Sequence, residues 1–151
     1  MKFNETIIPY EGTESIRLYQ NLDSVKQLFK AESIQYREEI WQSESETVPN
    51  PWNVLVLDGI MTLFFAKNRK LFKIVFWEGY YGKLQNGINV GMKIDEAQKI
   101  DPMLLFDEWN EDYESPSGYW VEDSTDDSNI ISISVFIKEV LDEEKFDYCN
   151  W

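Results

Sequence analysis

The fold of this chain is decided by residues 87–102, which read GINVGMKIDEAQKIDP. Ile94, Ala97 and Ile100 recur at helical spacing, so this stretch predicts a helix of two turns with one apolar face. The two acids of its first turn favour the positive end of the helix dipole, and Pro102 ends the helix because its ring cannot continue it. The residues before the helix predict a short leading strand and a turn.

A similar pattern lies 72 residues earlier in the chain. Leu22, Val25 and Leu28 match the three apolar residues of the later helix and again form one face. Asn21 offers a side-chain acceptor to the first free amides of a helix. We therefore predict a first helix that begins at Leu22, ends near Ala31 and also follows a short leading strand.

Seven runs rich in β-branched and aromatic residues predict strands. They cover residues 34–41, 52–57, 60–66, 71–77, 103–109, 118–122 and 129–138. Asp58-Gly59 is a two-residue hairpin signal and residues 67–70 join the next pair, which predicts a meander of adjacent antiparallel strands. Residues 42–51 and 110–117 predict polar loops, and residues 123–129 predict a hairpin turn built from turn-forming residues.

These elements predict an α+β fold, in which an antiparallel sheet carries short helices packed on one face. The length of the chain suits one compact domain, residues 1–151. One interpretation is a tandem β-α-β-β-β duplication with repeats at about 15–77 and 87–138, in which the second copy has lost a strand or folded it into its Asp-rich turn. The alternative is one domain whose helices share a register without duplication. The acidic C-terminal tail, residues 139–151, is expected to become ordered only against a partner or a neighbouring molecule.

The predicted core lies between the sheet and the helices. It consists of apolar residues that have the same phase in both halves: Phe72, Ile74, Phe76, Ile131, Ile133, Val135, Val25, Leu28, Ala97 and Ile100. The reverse side of the last strand carries Ser132, Ser134 and Phe136, and that of a central strand carries Lys73 and Trp77. Small hydroxyls beside aromatic rings are typical of a half-polar binding surface. A second layer packed on that side is the alternative.

Charge restricts the class of partner. The chain has 28 acidic and 14 basic residues, which gives a formal net charge of −14. Repulsion from phosphates argues against nucleic acid and anionic membranes, and a basic protein is the natural complement. Solubility alone would also explain the charge. Aromatic residues make up 15% of the chain, a load that serves cores and protein interfaces alike.

The residue types exclude most catalytic chemistry. The chain has no histidine, so Ser-His-Asp, Cys-His and His-metal sites are ruled out. No glycine-rich phosphate loop with its lysine is present. Carboxylate pairs of the glycosidase kind are compatible with the composition but with that of any acidic protein too. We therefore predict no enzyme and no catalytic, metal or cofactor site, with weak calcium binding by residues 123–129 as the alternative to a plain turn.

Cysteine use and hydropathy indicate the compartment. Cys149 is the one cysteine, so no intrachain disulfide can form, which fits a reducing environment. Residues 1–9 lack the apolar segment of a secretion signal, and no run approaches the roughly 18 apolar residues of a membrane span. We therefore expect a cytoplasmic protein.

An acidic aromatic segment, residues 106–114, is the candidate for partner recognition. Rigid rings make good buried anchors, and a rim of carboxylates steers a basic surface towards them. Four rings elsewhere are expected to extend the same surface. The predicted partner-binding residues are Asp107, Glu108, Trp109, Glu111, Asp112, Tyr113, Glu114, Trp77, Tyr80, Tyr81 and Trp120. The alternative for residues 106–114 is a solvated loop.

Two resemblances bear on function. The residues Gly91–Ala97 and Asn129–Val135 resemble the tandem-repeat modules of β-lactamase inhibitor proteins and of related small outer-membrane assembly lipoproteins, over most of residues 15–138. Separately, a small, acidic, aromatic-rich chain without enzyme motifs resembles the bacterial polymorphic-toxin immunity proteins, which bind one toxin domain tightly and block its active site or a neighbouring surface. This resemblance implies a non-enzymatic inhibitor whose partner is a basic toxin domain. The alternative functions are a small-molecule or peptide-sensing module that uses a concave sheet face, and an enzyme that works with carboxylates alone.

Overall fold

The structure is a computed structural model that describes residues 1–42 and 51–151, so most of the predicted loop at 42–51 lies outside the described residues. In chain order its elements are α1 (Leu22–Ala31), β1 (Arg37–Trp41), β2 (Trp52–Leu57), β3 (Met61–Phe65), β4 (Leu71–Phe76), α2 (Ile94–Ile100), β5 (Leu105–Asp107), β6 (Asp112–Ser115), β7 (Tyr119–Asp123), β8 (Ile130–Phe136), a 3₁₀ turn (Lys138–Leu141) and α3 (Glu143–Tyr148). None of the helices in the described ranges has the length and apolarity needed to span a membrane.

The eight strands form one antiparallel sheet in the order β1-β2-β3-β4-β8-β7-β6-β5. Two four-stranded meanders meet where β4 pairs with β8, with Ile74 opposite Val135. The predicted α+β class and the hairpin at Asp58-Gly59 are confirmed. Gly59 has a φ of +73°, which a residue without a Cβ adopts at little cost. The predicted hairpin turn at 123–129 is also confirmed, because it joins β7 to β8.

Helices α1 and α2 both lie on one side of the sheet. Directly opposed residues of neighbouring strands point to the same side. One such row runs through Glu38, Leu55, Leu63, Ile74, Val135, Tyr119 and Ser115. Lys26 of α1 forms a salt bridge with Glu38 at one end of the row. At the other end, Asp101 after α2 accepts a hydrogen bond from the Ser115 hydroxyl at 2.6 Å. We call this side the helix face and the other side the open face.

Two β-bulges change the predicted core. Phe64 pairs with Lys73 but Phe65 pairs with Leu71, so Phe72 is an extra residue in β4. Its ring is buried on the open face, 5.1 Å from Trp52, and the prediction that it shares a side with Ile74 is wrong. An extra residue in one strand turns the following side chains to the other side of the sheet.

The second bulge and a helix end account for the other misplaced core residues. Glu122 pairs with Ser132 and Asp123 with Ile130, which leaves Ile131 unpaired and 40% exposed. Ile100 closes α2 and is 43% exposed. The other predicted core residues are buried or pack against the core.

The C-terminal residues pack on the chain itself. The ring of Phe146 in α3 lies 4.8 Å from Phe72 on the open face, and Trp151 stacks on Phe146 at 6.0 Å. The side-chain amide of Asn68 donates to the backbone oxygen of Trp151 at 3.1 Å. The expectation that this tail needs a partner to become ordered is therefore wrong. Its apolar residues cover one end of the open face.

Each half of the chain contains a helix followed by four strands. β6 occupies residues that were predicted to be a polar loop, so the expectation that the second half lacks a strand is wrong. The prediction of two leading strands is also wrong, because residues 15–19 form a bend, a single bridge at Arg17 and a turn, and residues 88–90 form no strand. The backbone of Tyr19 has a φ of +70°, which a continuing strand could not adopt. The order of elements is thus α-β-β-β-β in each half, and the tandem duplication stays a prediction.

Candidate functional site

The open face carries a groove at one end and a cluster of carboxylates at the other. A row of opposed residues crosses it through Arg37, Val56, Thr62, Val75, Ser134, Trp120, Glu114 and Leu105. A groove of about 1050 Å³, called the groove below, runs from β1–β4 to the turn between β7 and β8 and to residues 90 and 91. Near the other edge Asp107, Asp112 and Glu114 form what we call the acidic cluster. The pairing of β4 with β8 places both on one continuous surface.

The acidic cluster is compact. Its three carboxylates each have an oxygen within 4.8 Å of the others. The side-chain amide of Asn110 donates to Asp107 Oδ2 at 2.7 Å and to Glu114 Oε2 at 3.0 Å, which holds two of the three together. Carboxylate oxygens are the ligands that Ca²⁺ and Mg²⁺ take, so these residues could hold a cation.

Asp112 is the unusual member of the acidic cluster. Within the described part of the chain its Oδ1 atom is shielded from solvent and has no hydrogen-bond partner. Burial, followed by the neighbouring Glu114, Asp107 and Glu122, raises the pKa of Asp112 to about 7. Near neutral pH the acidic cluster therefore retains a proton for part of the time, and an approaching cation would displace it.

Lys73 lies between the groove and the acidic cluster. Its Nζ atom is 5.5 Å from the ring centroid of Phe64 and 5.4 Å from that of Trp120, within range of cation–π attraction. Burial lowers the pKa of Lys73, and the charges of Glu122 and Asp112 oppose that effect. The Trp120 ring packs on Phe136 at 4.1 Å. The ring of Trp120 thus contacts the Lys73 amine on the open face.

The groove has an apolar floor and aromatic walls. Val56, Thr62 and Val75 belong to the central strands at its floor, and Trp77 and Tyr81 line it at one end. The Trp77 Nε1–H donates to Thr62 Oγ1 at 3.0 Å, which fixes the orientation of the indole. The Tyr81 side chain is 77% exposed. A groove of this size with few polar groups at its floor is the usual form of a binding site.

The tip of the β5–β6 hairpin presents a bare indole. Trp109 is 92% exposed and lies between Glu108 and Glu111. The backbone N–H of Glu111 donates to the Asp107 carbonyl at 2.8 Å, and that of Trp109 contacts Asp107 Oδ1 at 3.3 Å. These bonds define the turn, so the ring projects from an ordered backbone.

The structure distributes the predicted partner-binding residues over several places. Asp107, Asp112, Glu114 and Trp120 come together on the open face, Trp77 and Tyr81 line the groove, and Glu108, Trp109 and Glu111 form the hairpin tip. Tyr113 lies on the helix face, where its ring is 5.1 Å from Phe106.

Tyr80 does not belong to the predicted surface. It is only 4% exposed, its ring lies 4.6 Å from Phe76, and its hydroxyl donates to the Glu5 carbonyl at 2.7 Å. Its place in the predicted surface was therefore wrong.

Sequence reasoning missed Trp41 on the open face and the surroundings of Lys73. Trp41 lines the groove with its indole 5.2 Å from Phe64. The alternation of β1, in which Arg37, Glu39 and Trp41 share a side, could have revealed it. Lys73 was placed on the reverse side of its strand, but its aromatic neighbours depend on pairing between the two halves. No protein-family model, curated protein or solved structure matches this chain.

Proposed function

We propose that this chain is a cytoplasmic, non-enzymatic inhibitor that binds a basic protein, and most specifically an immunity protein that neutralises a bacterial toxin domain. The observation that carries the proposal is Trp109, a 92% exposed indole at the tip of an acidic hairpin. Tryptophan is strongly enriched among the residues that dominate binding energy at interfaces. The choice of a toxin domain rests on the resemblance in composition.

Charge supports a basic partner. The hairpin carries Asp107, Glu108, Glu111, Asp112 and Glu114, in a chain whose formal net charge is −14. A field of one sign raises the rate at which an oppositely charged protein meets this surface. The ring would then be buried, and burial of an aromatic anchor chiefly slows dissociation. The carboxylates of the hairpin are thus expected to change the association rate constant, and Trp109 is expected to change the dissociation rate constant.

A neutralisation assay tests the function. The protein encoded next to this chain is expressed in bacterial cells with and without it, and growth is measured. We expect the neighbouring protein to arrest growth and this chain to restore it. A neighbour that is harmless, or growth that stays arrested, would contradict the proposal.

Binding kinetics test the role of the charges. The triple variant Glu108→Gln, Glu111→Gln and Glu114→Gln is expected to associate more slowly with the purified partner. The loss should shrink as salt is added, because at physiological ionic strength salt already screens charges more than ~8–10 Å apart. A control that removes the same charge elsewhere carries glutamine at three exposed positions: Glu11, Glu14 and Glu96. The control should associate almost as fast as the wild type. If the triple variant and the wild type associate at equal rates at low salt, the hairpin is only a solvated loop and does not steer the partner.

The ring is tested through the dissociation rate. Trp109→Ala should speed dissociation about 30-fold or more, which corresponds to the ~2 kcal/mol of a hot spot. Trp109→Phe keeps an aromatic ring and should lose less. An alanine variant that dissociates at the wild-type rate would exclude the ring as an anchor.

The groove favours a second candidate function, a module that senses a peptide or a small molecule. Its volume of about 1050 Å³ is large enough for such a ligand. In that case the neutralisation assay would fail while a ligand still bound to the open face.

A further inference from the structure

A patch of exposed apolar side chains lies along the β5 edge of the molecule. Residues 100–109 supply five large ones that are between 43% and 92% exposed: Ile100, Met103, Leu105, Phe106 and Trp109. We call these five residues the edge patch. They belong to the end of α2, the link that follows it, β5 itself and the tip of the β5–β6 hairpin. Large apolar side chains that are exposed together, and not singly, mark an interaction surface.

The backbone under the edge patch is held in place. The Leu104 side chain is fully buried, and the Leu104 carbonyl accepts a hydrogen bond from the Gln98 side-chain amide at 2.9 Å. The Met103 N–H donates to Asp101 Oδ1 at 3.1 Å, and Asp101 Oδ2 accepts from the Ser115 hydroxyl at 2.6 Å. The edge patch is therefore exposed by the ordered fold and not because a loose segment has come away from the core.

The part of the chain that carries the edge patch is strongly acidic. Residues 100–137 contain ten aspartates and glutamates and no lysine or arginine. Within the described part of the chain none of these ten forms a salt bridge, and neither does Lys99, which precedes them on α2. Lys73 interacts electrostatically with Asp112 and Glu122, which lie further in on the open face. The edge itself therefore keeps its negative charge.

Carboxylates and apolar side chains alternate closely along this edge. Glu108 and Glu111 are exposed before and after Trp109 in the hairpin tip. Glu114 lies directly opposite Leu105 in the sheet. Opposed side chains have their Cβ atoms about 4.5–5.5 Å apart, so a cation that binds Glu114 also comes close to Leu105. A bound segment would thus meet an apolar contact and a carboxylate side by side.

Charge decides what can cover the edge patch. A second copy of this chain would bring like carboxylates together, and nucleic acid or an anionic membrane would be repelled by the same charges. A purely apolar segment would shield Glu108 and Glu111 from water without a cation to pair with them, which is costly. A segment that is merely basic would leave the apolar side chains exposed. The occupant that satisfies both features carries cationic and large apolar side chains together.

We infer that the edge patch binds a segment of the basic partner in which lysine or arginine side chains stand beside large apolar ones. The existence of that partner rests on the proposed function, whereas the chemistry of the segment rests on the edge patch and its carboxylates. β5 has only three residues and offers few backbone bonds to an added strand, so the contact is made chiefly by side chains. Apolar side chains of the segment cover Leu105 and Phe106, and its cations reach Glu108 and Glu114.

Selection from a random dodecapeptide display library, with the full chain as the bait, tests this inference. We expect the selected peptides to combine lysine or arginine with leucine, isoleucine, phenylalanine or tryptophan. A library that yields no peptide above background would overturn the inference. So would basic peptides without large apolar residues, or apolar peptides without basic ones.

Variants locate the bound peptide. Binding of a selected peptide, measured by fluorescence anisotropy, should weaken about tenfold in the double variant Leu105→Ser with Phe106→Ser and about threefold in Met103→Ser, which lies outside the strands. Ile40→Ser is the matched control, because Ile40 is 67% exposed on β1 at the other edge of the sheet. Circular dichroism checks that each variant is folded. If the folded Met103→Ser variant binds the peptide as tightly as the control, the edge patch is not the site.

Two measurements check the occupants that charge argues against. The wild type should stay monomeric in sedimentation velocity, and it should not float with vesicles that contain phosphatidylserine. A dimer that dissociates in Met103→Ser, or vesicle binding that this variant loses, would assign the edge patch to that occupant and overturn the inference.

The same variants separate this inference from the proposed function. If the wild type neutralises the protein encoded next to it and the double variant does so equally well, the edge-patch inference fails and the function stands. If the wild type does not neutralise that protein but basic apolar peptides still bind through Met103, the function fails and the edge-patch inference stands.

Discussion

Asp112→Asn should stabilise this protein, and the gain should depend on pH. The pKa of Asp112 is raised from 3.8 to about 7 because the carboxyl is partly buried next to Glu114, Asp107 and Glu122. The folded state therefore binds a proton that the unfolded state has already released. The stability that this proton contributes is complete below pH 3.8 and is lost as the pH rises through about 7. Asparagine resembles the protonated acid in shape and does not titrate.

The size of the effect follows from the same pKa. The interval from 3.8 to about 7 corresponds to about 4 kcal/mol at ~1.4 kcal/mol per pKa unit. Asp112 is only half-buried, so water screens the repulsion and the expected gain is about 1–2 kcal/mol at pH 8. Between pH 5 and pH 7 the gain should grow, and above pH 7 it should level off.

Urea unfolding followed by tryptophan fluorescence measures this gain. Wild type and variant are compared at pH 5, 6, 7 and 8, above the pI of about 4.3 so that both stay soluble. Glu108→Gln is the matched control, because it removes one charge from an exposed position of the same hairpin. Its difference from the wild type should stay small at every pH. If Asp112→Asn differs from the wild type by the same amount at pH 5 and pH 8, the acidic cluster does not retain a proton.

Three further substitutions test the packing. Ile133→Ala should cost ~2–5 kcal/mol in urea unfolding, since the residue is fully buried on the helix face, and an unchanged midpoint would refute the sheet register. Phe146→Ala should cost about 1–3 kcal/mol and expose Trp52, so a fluorescence spectrum that does not shift would contradict the packing of α3. Gly118→Ala should cost ~1–3 kcal/mol, because its φ is +99° and a Cβ would lie 2.4 Å from the Tyr10 ring; an equally stable variant would show that this turn has been misplaced.

The elements that the sequence predicted well are those with local signals. α1 begins where Asn21 predicts it, and the Asn21 side chain accepts a hydrogen bond from the Asp23 amide at 2.8 Å. The hairpin between β2 and β3 follows from Asp58-Gly59 for the same reason, because the turn is specified by the residues that form it. Such features depend on a few neighbouring residues and do not require knowledge of the rest of the fold.

The bulges could not be predicted in this way. Neither Phe72 nor Ile131 is preceded by a glycine or proline that would mark an extra residue. A change of one residue reverses the side to which the strand directs its side chains, so the alternation rule failed there. β6 was missed for a related reason. Asp112 and Glu114 are the half-buried open-face side chains of a real strand, and their polarity was taken as the mark of a loop.

The candidate site was only partly visible in the sequence. The acidic segment and its indole, Trp109, are consecutive residues and could be recognised together. The arrangement around Lys73 could not, since Phe64 comes from the first half and Trp120 from the second. These residues meet because β4 pairs with β8, a long-range contact for which a single sequence provides no local signal.

Lys73 determines how the negative charge of the open face can be used. Its Nζ atom lies between the rings of Phe64 and Trp120, where burial lowers its pKa and the charges of Glu122 and Asp112 oppose that effect. In its charged form it repels any other cation. Within residues 1–42 and 51–151, carboxylates without a salt bridge lie at two separate places, Glu78 at the groove and Glu108 and Glu111 at the tip of the hairpin. A basic partner that spans the face would gain at both places and lose where one of its cations came over Lys73. Recognition would then depend on the spacing of the partner's charges as well as on their number, which is how a binding surface rejects partners that are merely basic.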